Sequence, residues 1–344
     1  MSETPKCFVW KDFELQCGVV LQEAKLVYQT YGELNRNRSN VILYPTSYGA
    51  QHFETQWLIG KERILDPSRW FIIIPNLFGN GLSSSPSNCK GCGLAQQGFY
   101  FTHLDNVRAQ EKLLRESFGI ERLALVYGWS MGAQQAYHWG ALYRDRVDRI
   151  AAICGTARVT VHNQIFLKSL RAALTADPAW NGERFTATPE RGFHTFALIY
   201  ASWAASQAFY RHNLHQQGER TLDEYLSQAW EANYRKRDPH NLIAMLDTWL
   251  RCDISDNPLY RGDFQKALAS IRAKTLVMPS RTDLYFTPED CQAEAASIPD
   301  AIYRPIESIW GHRAGNPYQN LEDERFIRDA VRELLSVNSE RSEI

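Results

Sequence analysis

A serine between two glycines, directly behind an apolar strand-like segment, is the feature that most constrains how this chain folds. The pentapeptide Gly128-Trp129-Ser130-Met131-Gly132 follows the aliphatic residues 123–127 and precedes a helix-like stretch, residues 133–142. Glycines on both sides let a strand and a helix pass close together, and the serine at the tip takes a strained backbone conformation. The order therefore predicts a sharp strand-to-helix turn that presents one hydroxyl at the edge of a sheet.

Strand-like and helix-like segments alternate around this turn, which predicts a mostly parallel sheet with helices on its faces. Thr102 is a candidate N-cap of a helix that ends at Gly119, and a last helix is expected over residues 323–335. Pro305 in the last strand-like segment favours a place near the sheet edge. The strand-like segments are residues 26–31, 41–44, 70–74, 123–127, 149–153, 275–278 and 302–306.

The region between residues 158 and 256 has helical periodicity and no convincing buried strand. We therefore predict an all-helical cap inserted into the sheet domain. The expected division is a first core part at 1–157, the cap at 158–256 and a second core part at 257–344. Together with the serine turn, this organisation predicts an α/β-hydrolase fold, with a mostly parallel central sheet flanked by helices.

Serine alone is a poor nucleophile, because it needs a base to take its proton and a carboxylate to orient that base. In this fold the chain order is serine, acid, histidine. His312 is the only histidine after Asp283, and Asp283 follows the strand-like segment that ends at Met278. We predict a catalytic triad of Ser130, Asp283 and His312, with Asp290 and Asp256 as alternatives for the acid.

An ester carbonyl under attack develops negative charge that backbone N–H groups stabilise. The residue after the nucleophile, Met131, is expected to supply one donor. The loop after residues 41–44 is expected to supply the other, with Ser47 preferred and Tyr48 next. Tyr48, Trp129 and Trp310 are candidates for the wall of a small apolar substrate pocket, although ordinary buried aromatics are an equally good interpretation.

Two other motifs are interpreted as structural. Cys89 and Cys92 form a CxxC pair without a second pair for zinc, so we expect a loop with two free thiols. His212 and His215 have a spacing that binds metal on helices, but a solvated helix face is the better interpretation. The predicted mechanism needs neither a metal nor a cofactor.

Composition restricts the classes of partner. The net charge is -1 with no long basic run, which argues against nucleic acid. No stretch approaches the roughly 20 apolar residues of a membrane span, and the polar residues 1–6 do not read as a signal peptide. The odd number of cysteines, 7, fits a reduced cytoplasmic protein. The polar residues after the last helix are expected to be disordered.

Several motifs resemble the homoserine O-acetyltransferase family of α/β-hydrolases. They are residues 66–71 (DPSRWF), residues 107–110 (VRAQ), the serine pentapeptide and Gly311-His312. The resemblance covers most of the sheet domain. It implies a helical cap, the triad Ser130, Asp283 and His312, and a homodimer that pairs through the cap.

Departures from that family favour one of its branches. Family members typically read Gly-Gly-Ser-Met-Gly-Gly-Met-Gln at the turn, where this chain reads GWSMGAQQ. The aspartate that follows the catalytic histidine and holds the substrate ammonium is replaced here by Arg313, and a cation repels an amino group. The chain is more similar to hydrolases of short-chain acetate esters such as ethyl acetate.

We therefore expect a carboxylic ester hydrolase acting on a small-molecule acetyl ester, without nucleic acid or membrane partners. The alternative is an acetyl-CoA-dependent O-acetyltransferase with the same triad. It differs only in whether water or an alcohol intercepts the acyl group. A second alternative is a non-catalytic binding protein on the same fold.

Overall fold

A mixed sheet of eight strands organises the part of the chain that the computed structural model describes, residues 4–90, 92–93, 98–216 and 220–336. The polar tail expected to be disordered lies outside these residues. The strands run in the order β1-β2-β4-β3-β5-β6-β7-β8. They are β1 (Lys6–Glu14), β2 (Val20–Tyr31), β3 (Val41–Leu43), β4 (Phe71–Pro75), β5 (Leu125–Trp129), β6 (Arg149–Ile153), β7 (Lys274–Met278) and β8 (Ala301–Tyr303).

The parallel centre and the antiparallel edge of this sheet follow from different sequence patterns. Every residue of β3, β4 and β6 is buried, as expected for parallel strands covered on both faces. Strands β1 and β2 instead alternate exposed and buried positions and pair antiparallel as a hairpin. Strand β1 was not predicted, because its residues alternate with charges and lack a continuous apolar run.

Helices cover both faces of the sheet. The longer ones bury an apolar side, and α2 begins at the predicted cap, where the Thr102 hydroxyl accepts a hydrogen bond from the Asp105 N–H. Helix α2 ends at Phe118, and its C-cap is Gly119, which has φ 60°. The helices are α1 (His52–Thr55), α2 (His103–Phe118), α3 (Met131–Leu142), α4 (Val161–Thr175), α5 (Glu190–Ala204), α6 (Gln207–Arg211), α7 (Leu222–Tyr225), α8 (Ala232–Tyr234), α9 (Pro239–Leu250), α10 (Phe264–Ala269), α11 (Pro288–Ala295) and α12 (Leu321–Ser336).

Alternate residues of each central strand enter two separate apolar cores. Val126 of β5 packs in the core that contains residues of α2 and α3, whereas Leu125 packs in the core closed by α12. This two-sided burial confirms the predicted α/β fold. The segment between β6 and β7 contains helices α4 to α10. Strand β8 lies at the edge of the sheet.

Candidate active site

Ser130 occupies the turn between β5 and α3 in a backbone conformation that few residues adopt. Its φ is 57° and its ψ is -125°. A Cβ on Gly128 would lie 2.1 Å from the carbonyl oxygen of Gly132, and a Cβ on Gly132 would lie 2.8 Å from that of Pro45. Both glycines are therefore required for the strand and helix to approach, and the predicted sharp turn is present.

His312 and Asp283 meet although 29 residues separate them along the chain. His312 Nδ1 lies 2.7 Å from Asp283 Oδ2, and both side chains are buried. The other carboxylate oxygen accepts hydrogen bonds from the backbone N–H groups of Tyr285, at 2.8 Å, and Phe286, at 3.3 Å. These bonds fix the carboxylate on the loop after β7.

The two alternative acids serve other purposes. Asp290 lies in the first turn of α11, where its carboxylate accepts a hydrogen bond from the Thr287 hydroxyl at 2.7 Å. Asp256 is exposed in a turn. Among the three candidates, Asp283 is the one whose carboxylate contacts His312.

The turn that carries His312 depends on Gly311. Gly311 has φ 63°, and a Cβ there would lie 2.7 Å from the carbonyl oxygen of Ala204. The imidazole stacks on Trp129, with ring centroids 5.0 Å apart, and contacts the edge of Tyr285 at 4.7 Å. Aromatic neighbours therefore hold the ring against the sheet.

Ser130 and His312 line the same cavity, which has a volume of about 270 Å³. No hydrogen bond joins their side chains in this structure. Such bonds are often long in unliganded enzymes and tighten when substrate binds. Cavities for drug-sized ligands usually begin at about 300 Å³, so this one suits a small molecule.

Ser47 ties the loop after β3 to the serine turn. Its hydroxyl donates to the carbonyl oxygen of Trp129 and accepts the N–H of Gly132 at 3.4 Å. Ser47 also lines the cavity, whereas the Met131 side chain is buried in the core. As the first residue of α3, Met131 has a backbone N–H that no helical carbonyl can accept.

The cavity has an aromatic side that was predicted in part. Tyr48 and Trp129 lie in its wall. Trp310, the third aromatic candidate, packs its ring on Phe209 at 5.2 Å in a small apolar cluster. The remaining apolar wall comes from the region between β6 and β7 and comprises Tyr200, Ala204, Trp230 and Tyr234.

Comparisons with known proteins agree with the fold described above. A family model described as "alpha/beta hydrolase fold" matches residues 60–308. The chain belongs to the α/β-hydrolase fold family. It is similar to an ethyl acetate hydrolase from Pseudomonas veronii, with 42% identity over 87% of this chain and 86% of that protein.

The α/β-hydrolase fold is shared with proteins of solved structure. The acetyl esterase MekB superposes with a TM-score of 0.93 at 36% identity, over 98% of each chain. A homoserine O-acetyltransferase from Trichormus variabilis is more distant, with 28% identity over 88% of this chain and 87% of that protein. The nearer relatives are named hydrolase or esterase, which confirms the prediction that this chain is a hydrolytic enzyme.

A polar wall of the α/β-hydrolase cavity was only partly foreseen from the sequence. Arg237 binds the carboxylate of Glu54 with one guanidinium nitrogen and donates to the carbonyl oxygen of Gly49 at 2.8 Å. Arg313 donates to the Tyr225 hydroxyl at 3.2 Å. No sequence signal links Glu54 to Arg237, because 183 residues separate them.

Cys154 lies close to Asp283 and His312 and was also missed. Ligand atoms of Cys154, Asp283 and His312 lie within 4.8 Å of one another. Burial, with a further contribution from Asp283, raises the pKa of the Cys154 thiol well above its ordinary value, so the thiol is neutral. A cysteine directly after a central strand, at the edge that carries Ser130, is the signal that could have found it.

Two interpretations of other motifs need correction. Cys89 and Cys92 form a disulfide rather than two free thiols, because the turn brings their Cα atoms to 5.3 Å. His215 is buried beside Tyr210 and Tyr225 rather than solvated. Within the residues described, no three-ligand group that could hold a metal includes His212 or His215.

The helices of the described residues include none that is both long and apolar enough to cross a membrane.

Proposed function

We propose that this enzyme is a carboxylic ester hydrolase that cleaves short-chain esters, above all acetyl esters, through Ser130, His312 and Asp283. The observation that carries the proposal is the 2.7 Å contact between His312 Nδ1 and Asp283 Oδ2, with Ser130 on the same small cavity. Similarity to an ethyl acetate hydrolase and an acetyl esterase supports the choice of acyl group.

The first half of the reaction transfers the acyl group to the enzyme. Ser130 Oγ forms a bond to the ester carbonyl carbon while its proton passes to His312 Nε2. The carbonyl π electrons move to the oxygen, and the backbone N–H groups of Met131 and Ser47 stabilise that charge. When the carbonyl reforms, the bond to the alcohol oxygen breaks and His312 returns the proton to the leaving alcohol.

The second half frees the acid. His312 removes a proton from water, whose oxygen bonds to the acyl carbon, and the bond to Ser130 Oγ breaks as the serine regains the proton. Asp283 accepts the Nδ1 proton in its hydrogen bond throughout, which fixes the tautomer that leaves Nε2 free to act as base. Burial raises the pKa values of the cavity phenols Tyr200 and Tyr234. Both phenols therefore stay protonated and cannot take the place of His312 as the base.

The experiment that tests the proposal measures acetate released from ethyl acetate and the mass of the intact protein during turnover. We expect an acetyl adduct on wild type that decays in water. The Ser130→Ala variant should be folded, should lack the adduct and should lose about 10⁶-fold in kcat. Near-normal turnover by Ser130→Ala would refute the assignment of the nucleophile.

A second candidate, acyl transfer from acetyl-CoA to an alcohol, is favoured by the similarity to homoserine O-acetyltransferases. Both reactions share the acyl-enzyme and differ in the group that attacks it. The two are separated by offering acetyl-CoA with homoserine in one tube and ethyl acetate in another. CoA release that depends on homoserine, with negligible ester cleavage, would establish the transferase.

We also propose that residues 158–256 form a separate cap domain and that two copies of the chain pair through it as a homodimer. We further propose that the protein is cytoplasmic. Apolar side chains exposed on one face of α4 support this pairing: Val161 is 75% exposed and Ile165 is 59% exposed. Five described cysteines, at positions 7, 17, 154, 252 and 291, have free thiols, which fits a reducing compartment, whereas the Cys89–Cys92 disulfide is unusual there. A monomer by light scattering would contradict the pairing.

A further inference from the structure

Among the charged residues described around the catalytic cavity, positive charge is in excess of negative charge. Its charged lining residues, within the described part of the chain, include Glu54, Arg237 and Arg313. Glu54 is bound through both carboxylate oxygens by Arg237, so this pair is neutral as a whole. No carboxylate of a described residue lies within 4.0 Å of Arg313 to offset its charge.

Arg313 is held in place by contacts that leave part of its hydrogen-bonding capacity open. Its guanidinium carbon lies 6.0 Å from the ring centre of Trp230 and 5.9 Å from that of Trp310. One nitrogen donates to the Tyr225 hydroxyl. A guanidinium has five N–H donors, so donors remain for an acceptor in the cavity.

A second donor lies on the same wall. Asn316 lines the cavity, and its side-chain oxygen accepts a hydrogen bond from Trp57 Nε1 at 3.0 Å. This bond orients the amide, whose NH₂ group carries two donors. This wall of the cavity therefore offers hydrogen-bond donors to a ligand. Its carboxylate, on Glu54, is already bound by Arg237.

The position of Arg313 relates these donors to one end of an ester. His312 must reach the leaving oxygen to return a proton, so the alcohol part of the substrate lies on the His312 side of the carbonyl. Arg313 follows His312 in the same short turn, Gly311–Gly315. A group carried by the alcohol part is thus the one that meets Arg313.

We propose that Arg313 determines specificity and that the site prefers acetyl esters whose alcohol part carries a carboxylate, the acetylated hydroxy acids. This inference rests on the proposed ester hydrolysis. A carboxylate on the alcohol part pairs with the guanidinium in a charge-assisted hydrogen bond, whereas an ammonium there is repelled. Because the contact exists before and during the reaction, it lowers KM more than it raises kcat.

The experiment compares two acetyl esters of equal size, acetoxyacetate and the neutral acetoxyacetamide, and a bulkier cationic one, acetylcholine. Acetate release gives kcat and KM for wild type, Arg313→Gln and Arg313→Lys, after subtraction of the spontaneous rates. A charge-assisted hydrogen bond corresponds to a preference of about 10- to 100-fold, so wild type should favour acetoxyacetate over the amide by that factor in kcat/KM. Acetylcholine should be the poorest of the three.

The variants distinguish the effect of the positive charge at Arg313 from that of a positive charge elsewhere on the protein. Arg313→Gln should abolish the preference for the anion, and Arg313→Lys should retain part of it because the positive charge remains. Arg122→Gln removes the same charge far from the cavity, where Arg122 pairs with Asp148, and should leave the preference unchanged.

Equal kcat/KM for acetoxyacetate and acetoxyacetamide in wild type would overturn the inference, as would a preference that Arg313→Gln leaves intact. In both cases cleavage of the two esters would leave the proposed hydrolase function standing. Failure of wild type to cleave any ester would refute both proposals. If Arg313→Gln does not fold, the wild-type preference and the Arg313→Lys variant still decide the outcome.

Discussion

Asp283 illustrates how much a single side chain depends on groups that the sequence does not place together. Its two carboxylate oxygens accept hydrogen bonds from the His312 ring and from two backbone N–H groups of its own loop. Chain order and the loop after β7 favoured it in the sequence over the alternatives Asp290 and Asp256. The position of Cys154 directly after β6 places it at the right edge of the sheet, but its distance to this carboxylate depends on how three loops pack there, which the sequence does not specify.

We expect Asp283→Asn to lower kcat for ethyl acetate by about 10⁴-fold with little loss of stability. An amide presents an N–H where the carboxylate accepts one, so the imidazole takes the tautomer that cannot act as base at Nε2. The matched control is Asp290→Asn, which changes a carboxylate in the first turn of α11 and should keep near-normal kcat. If Asp283→Asn kept near-normal kcat and Asp290→Asn lost most of it, the acid of the triad would be misassigned.

At the scale of elements, continuous apolar runs predicted the buried strands. Strand β1, in which charged residues alternate with apolar ones, was not predicted. Residues 149–153 were predicted as a strand and form β6 with those bounds. Strand β1 pairs along its length with β2, but its exposed positions hide that pairing in the sequence. The cavity wall was the hardest part to predict, because Tyr234 reaches it from α8 and Arg237 from the connection between α8 and α9, and no local pattern specifies how these segments pack.

The short turn that carries His312 provides an element-scale prediction. Gly311→Ala should lose most activity and about 1–3 kcal/mol of unfolding free energy, because a positive φ and a 2.7 Å contact with the Ala204 carbonyl oxygen must both be relieved. Gly262→Ala is the control: Gly262 also has a positive φ, 85°, but no atom within 4 Å of its Cβ position. Urea unfolding and kcat on ethyl acetate measure the two effects. Equal losses in the two variants would show that backbone strain alone, and not the approach to Ala204, matters at Gly311.

At the scale of the whole molecule, one buried carboxyl group joins the sheet domain to the region that follows β6. Glu294 on α11 accepts hydrogen bonds from the backbone N–H groups of Ala157, at 2.7 Å, and Arg158, at 3.3 Å. Burial raises the pKa of Glu294 to about 8, although these two N–H groups act in the opposite direction. The folded protein therefore holds a proton on Glu294 that the unfolded chain has released at neutral pH.

This difference makes stability depend on pH. Between the unfolded pKa, about 4.3, and the folded pKa the native state binds more protons, so the free energy of unfolding falls as pH rises, by at most about 1.4 kcal/mol per pH unit. The contribution is complete below the unfolded pKa and is lost as pH passes the folded pKa. Glu294→Gln should flatten this slope and be more stable than wild type above pH 8, as urea titrations from pH 5 to pH 9 would measure. Glu289→Gln, on the exposed side of the same helix, should follow the wild-type curve, and parallel curves for wild type and Glu294→Gln would contradict the assignment.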